Sequence, residues 1–162
     1  WEAWGPADSL VTSPRTYTKY SVSVSKEFYL NLLSKVRVNG AYFGGRGLDR
    51  FSQYQFGLFD DTRIHGVPSS GVRYGEIAMA RGAYSFNIFD QYRLDLFLDQ
   101  AWGRDDPGHG TWQPLTGFGI AVNLRAPWNT IFRADLGKSR LPDRYGGLGS
   151  TTLQILLLKP LG

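Results

Sequence analysis

His65 has the greatest chemical reach in this 162-residue chain, and it lies in a stretch, Arg63-Ile64-His65-Gly66-Val67-Pro68-Ser69-Ser70, that also carries two hydroxyls. A serine activated by a histidine base hydrolyses esters. Two features argue against that chemistry here. Nothing nearby in sequence orients the imidazole, and Gly66-Val67-Pro68-Ser69-Ser70-Gly71 is not the Gly-x-Ser-x-Gly elbow that exposes a nucleophile; hydroxyls beside Pro and Gly form turns. The second histidine, His109, is distant in sequence and no acidic cluster converges on either, so a metal site is not expected. Cysteine is absent, which excludes thiolate ligands and disulfides. Gly44, Gly45 and Gly47 around Arg46 read as a turn, because no helical pattern follows to place an N-terminus against a phosphate. The expectation is a protein that is not an enzyme and needs no cofactor or metal.

The remaining charged chemistry forms a stripe: Lys35, Arg37, Arg93, Asp95, Asp99, Arg133 and Asp135. Its meaning depends on the elements that carry it. From Tyr92 to Trp102 the even positions are Tyr, Leu, Leu, Leu, Gln and Trp, while Arg93, Asp95 and Asp99 are odd. A strand sends alternate side chains to opposite faces, so one face here is nearly all apolar and the other is charged. The pattern recurs with Phe118, Ile120, Val122 and Leu124 against Gly119, Ala121, Asn123 and Arg125. It recurs again with Phe132, Ala134 and Leu136 against Arg133, Asp135 and Gly137. Such charges are costly in a small protein core and ordinary in a water-filled or plugged barrel, where opposite signs on adjacent strands pair. The outer surface of a soluble barrel is the alternative.

Length and connections choose between these. Strands are expected at roughly 16–28, 30–43, 50–59, 72–86, 91–102, 115–125, 129–138 and 149–159. Most reach the roughly nine to eleven residues that a tilted membrane-spanning strand needs, against five or six for ordinary strands. Links near 87–90 and 126–129 are tight, whereas 60–71, 103–114 and 139–148 are long and polar, the asymmetry of outer-membrane barrels. The short link at 27–31 breaks the alternation. Tyr84, Phe86, Phe89, Tyr92, Trp128 and Phe132 gather near tight turns, and Tyr74, Trp102 and Trp112 near long loops, as two interfacial bands would. No apolar run approaches the roughly 20 residues of a membrane helix. The net charge of +4 is spread singly along the strands, which argues against nucleic acid as a partner. The expected fold is all-β: one antiparallel transmembrane β-barrel domain over 1–162, of about eight strands, closed alone or as part of a larger barrel, with no periplasmic domain in this chain.

Four short motifs then occur in order. Phe97-Leu98-Asp99-Gln100-Ala101 resembles the Phe-x-Asp-x-Gly strand of the BamA-type outer-membrane assembly factors, the superfamily that includes TamA and the two-partner secretion transporters. Gly117-Phe118-Gly119, with Pro127 at the following turn, is similar to that family's Gly-x-Gly strand. Arg133, Asp135 and Gly137 are similar to its Arg-x-Asp-x-Gly strand, and Arg63 to Val67 stand where it has its Val-Arg-Gly-Phe/Tyr loop. The resemblance implies that this loop enters the barrel and that its basic residue meets Asp99. His65 stands where the family has Arg, Val67 where it has an aromatic, and Ala101 where it has Gly, so Arg63 is a second candidate partner for Asp99. Residues 159–162 lack the terminal aromatic typical of the family.

The resemblance implies an outer-membrane location, with the lipid bilayer as partner, other barrel subunits or a second copy at the open edges, and a polypeptide substrate inserted or translocated by β-augmentation. The site residues it marks are Arg63, His65, Gly66, Phe97, Asp99, Arg133 and Asp135, with the strand glycines Gly117, Gly119 and Gly137. Two other roles stand beside it: a structural or accessory outer-membrane barrel subunit without insertase activity, and a soluble ligand-binding β-barrel.

Overall fold

The alternating segments build seven long strands in one antiparallel sheet. The computed structural model describes residues 16–56, 62–68, 72–89, 91–106, 109–126, 130–141 and 149–159. In chain order the elements are β1 (Thr18–Tyr29), β2 (Ser34–Arg46), β3 (Tyr54–Gln55), β4 (Arg73–Tyr74), β5 (Glu76–Ile88), β6 (Tyr92–Arg104), β7 (Gln113–Ala126), β8 (Thr130–Arg140) and β9 (Thr151–Leu158). The sheet runs β1-β2-β5-β6-β7-β8-β9, every neighbouring pair antiparallel, and β3 with β4 forms a separate two-stranded ribbon. The described residues contain no helix. Among them no ladder joins β1 to β9, the two outer strands.

The sequence reading is corrected in one element. The strand expected at 50–59 does not join the sheet: only Tyr54 and Gln55 are extended, paired with Tyr74 and Arg73 inside the β2–β5 connection. A turn precedes them, with Ser52 and Gln53 donating to the Asp49 carbonyl and Ser52 also to its carboxylate. The apolar alternation there serves a local core. Phe56 packs edge-on against Tyr74, and both are fully buried. Among the described residues seven long strands stand in place of the expected eight, and β2 pairs directly with β5.

This correction also removes the misfit in the connections. The link at 30–33 is now the short side of the first hairpin, followed by a long one at 47–75, then short, long, short and long. Asn31 shapes the first, its side-chain oxygen accepting from the Leu33 and Ser34 amides at 2.9 and 2.8 Å, the local bond by which asparagine sets turns. The turn residues Asp90, Pro127, Trp128 and Asn129 lie outside the described residues.

Polarity is distributed across the sheet in an unusual sense. On β6, Asp99 is 0% exposed and its neighbour Leu98 62%; on β8, Asp135 is 1% exposed and Leu136 51%. The same holds on β9, where Gln154 is buried between exposed Leu153 and Ile155. The buried acids Asp95, Asp99 and Asp135 lie on one face of the sheet and the exposed aliphatic residues on the other, with Lys138 and Arg140 at the long-loop end of β8 on the exposed side. A buried apolar cluster does exist, including Phe56, Ile64, Val67, Tyr74, Ile77 and Leu115, but it sits at the long-loop end, where the β2–β5 connection folds against the strand ends.

Candidate functional site

The β2–β5 connection carries Arg63 to Val67 into the concave face, and three glycines make the seat. A Cβ on Gly117 would strike the His65 carbonyl and the Ile64 side chain, one on Gly119 the His65 ring, and one on Gly137 the Gly66 amide. Only a side-chain-free floor lets another backbone approach this closely. Gly66 has φ +81, and a Cβ there would meet the Lys138 and Ser139 backbone, so this turn of the loop also requires glycine. Its carbonyl accepts the Ser139 hydroxyl at 2.8 Å and the Ser150 hydroxyl at 2.7 Å.

Asp99 clamps His65, the residue before Gly66. Its Oδ2 accepts the His65 backbone N–H at 2.8 Å and lies 2.6 Å from Nδ1 of the same residue, while Oδ1 accepts Arg81 Nε at 2.9 Å. Arg81 also donates to the Arg63 carbonyl, so one guanidinium ties the carboxylate to the loop backbone. The His65 ring lies on Phe97 with centroids 4.1 Å apart and planes at 16°. The Arg133 guanidinium approaches the same Phe97 ring at 5.7 Å, so an aromatic ring and a cation both rest on Phe97.

Asp135 is the second anchor. Its Oδ2 takes Arg63 Nη2 at 2.7 Å and Arg133 Nη2 at 3.0 Å, and stands 3.6 Å from His65 Nε2. That last separation exceeds a hydrogen bond, so the contact is attraction through space. His65 thus sits between two carboxylates that also hold guanidinium groups, Arg81 on Asp99 and Arg63 with Arg133 on Asp135. Protonation of its ring makes both contacts ion pairs. Each anchored carboxylate is 0–1% exposed, and burying it without these partners would cost several kcal/mol.

The structure thereby brings all seven marked residues and the three strand glycines into one cluster. Of the two candidates for Asp99, His65 makes the contact, while Arg63 goes to Asp135. Ser69 and Ser70 lie outside the described residues. His109 is in the β6–β7 connection, its amide bonded to the Asp106 carbonyl, and among the described residues no three His, Asp or Glu side chains are grouped as metal ligands would be. Gly44 and Gly45 end β2 against Tyr20 and Leu48, and Gly47 turns the chain with φ +67.

Arg81, Ser139 and Ser150 complete the site without having been marked by the sequence. Arg81 was within reach: it and Asp99 are equidistant from the turn at 89–91, which makes them cross-strand partners, as the register shows. The two serines answer a carbonyl brought by the loop, and no local pattern announces them. What the arrangement does chemically is hold a loop: it has ion pairs and a stacked ring, and among the described residues no nucleophile is aligned with a base. Comparison with protein families, with curated proteins and with solved structures finds no match for this chain.

Proposed function

We propose that the chain forms part of a transmembrane β-barrel of the bacterial outer membrane, of BamA-like type, with a role in inserting or translocating polypeptides there. The observation that carries the membrane reading is the inverted polarity of the sheet: aliphatic side chains point outward along β6, β7, β8 and β9 while Asp95, Asp99, Asp135 and Gln154 are buried inside. A soluble protein gains nothing from that inversion; in lipid it is the arrangement of lowest cost. Strand length agrees. Thirteen residues, as in β5 and β6, extend about 43 Å and, tilted by about 40°, cross roughly 33 Å, enough for a hydrocarbon core of about 30 Å.

The edges support the polypeptide-handling part. The seven antiparallel strands of the described residues leave β1 and β9 running in the same direction, so pairing them with each other would make a parallel seam. All-antiparallel closure requires an odd number of further strands, and until those edges are paired they present unmet backbone groups that a substrate strand satisfies. The docked loop is the element that would stabilise the sheet's curvature next to them.

One observation favours the accessory role instead. The apolar cluster of Phe56, Val67 and Tyr74 fills the long-loop end of the interior, so passage through the interior needs the loop released. Reconstitution separates the two: liposomes carrying the chain should speed insertion of an unfolded barrel substrate above empty liposomes, and equal rates would leave the accessory role. The membrane reading is tested by dilution below the critical micelle concentration. Aggregation is expected; a monodisperse, folded protein without detergent would overturn it and leave a soluble ligand-binding barrel.

A further inference from the structure

Beside the clamp lies a polar groove of about 380 Å³, inside the range of roughly 300–1,000 Å³ typical of small-ligand sites. Its lining brings together the side chains of Arg37, Arg63, Arg81, Arg93 and Arg133 from β2, the loop, β5, β6 and β8, and three serines of β1. Each guanidinium has a carboxylate partner, yet three of the four partners are hidden, Glu27 alone keeping 30% of its side chain open. Asp95, Asp99 and Asp135 are 0–1% exposed, whereas the arginines facing them keep 17–39% of their side-chain surface open, and Arg37 keeps 44%. Asp95 reaches the groove wall beside Arg93, while Asp99 and Asp135 lie behind the cations that face the groove.

The count is also unequal. Arg63 and Arg133 share the single Asp135 oxygen, so the five guanidinium groups face four carboxylates, including Glu27, which holds Arg37. Every guanidinium has five donors and, among the described residues, uses one or two of them on the groups that bind it, which leaves donors for a planar or tetrahedral oxyanion.

We propose that this groove binds a small soluble ligand carrying a phosphate group. The proposal goes beyond the membrane reading and holds whichever strands close the sheet. The groove lies on the concave face, opposite the outward aliphatic face, which makes a soluble anion the source rather than a lipid headgroup. Arg93 and Arg37, the most open of the five, give the ligand its first contacts, and the β1 serines add neutral donors.

The test is calorimetric titration of the full chain in detergent with inorganic pyrophosphate. Saturable one-to-one binding with Kd below about 1 mM is expected. Arg93→Gln and Arg37→Gln should each weaken it by about tenfold or more, the cost of a charge-assisted contact. Lys26→Gln removes the same charge from the outward side of β1 and should leave affinity unchanged, since Ser21, Ser23 and Ser25 are the β1 residues that line the groove. Should Arg93→Gln fail to fold, Arg37→Gln carries the comparison. Absence of saturation overturns the proposal, as does equal weakening by Lys26→Gln.

Discussion

Replacing Asp99 by Ala is the sharpest perturbation of the loop clamp. The carboxylate is fully buried and serves three donors: the His65 amide, the His65 ring and Arg81 Nε. Truncation strands the buried His65 backbone N–H and ring together and takes the carboxylate from Arg81, which is only 23% exposed, and breaking a buried pair in this way costs about 3–5 kcal/mol. Asp95 is the control. It is equally buried but serves only Arg93 Nε at 2.6 Å and Asn123 Nδ2 at 2.8 Å, and Arg93, 39% exposed, can return to water when its partner goes. Asp95→Ala is therefore expected to cost about 1–3 kcal/mol. In detergent, with tryptophan fluorescence as the readout, Asp99→Ala should lower the urea midpoint by about 2 M and Asp95→Ala by about half as much. Trypsin should also cut the Asp99→Ala protein after Arg63, a bond the docked loop protects. Equal losses from the two variants, or an unchanged cleavage rate, would refute the clamp.

Other consequences follow from the same geometry. Gly66→Ala places a methyl at φ +81 and against the Lys138 backbone, so it should undock the loop at a cost of about 1–3 kcal/mol, seen as faster cleavage at Arg63 with strand content unchanged by circular dichroism. Gly119→Ala puts its methyl under the His65 ring and should act in the same direction, by about 1–3 kcal/mol, through overpacking. On the outward face, Leu98→Lys near the middle of β6 should lower stability in lipid by about 2–4 kcal/mol, while Tyr92→Lys at the strand end should cost about 0–1 kcal/mol; similar costs at both depths would argue against a bilayer around the strand.

Strands and their faces were legible because burial on one side and exposure on the other impose period two directly on residue type. Thus alternation puts Asp95 and Asp99 on one face of β6 and Asp135 on the polar face of β8, and in the structure all three are buried. The segment at 50–59 was misread for the same reason. Tyr54 and Phe56 alternate to bury themselves against Phe43 and Tyr74, and alternation does not say whether its apolar face meets a sheet, a loop or lipid. The loop's partners were legible in part. Gly117, Gly119 and Gly137 stand out as missing side chains on three inward positions, and the Arg81–Asp99 pair follows from hairpin symmetry. Ser139 and Ser150 do not stand out, because their roles depend on contacts to a carbonyl 73 and 84 positions away, set by the path of the whole connection.

The central claim is that the aliphatic face of the sheet meets lipid and the charged face does not. Since the chain has no cysteine, single cysteines introduced at 93 to 98 along β6 give clean nitroxide labels. In liposomes, collision with oxygen dissolved in the bilayer should be high at 94, 96 and 98 and low at 93, 95 and 97, a period of two in register with burial. A flat profile, or labels at 96 and 98 more accessible to a water-soluble nickel complex than to oxygen, would contradict the account.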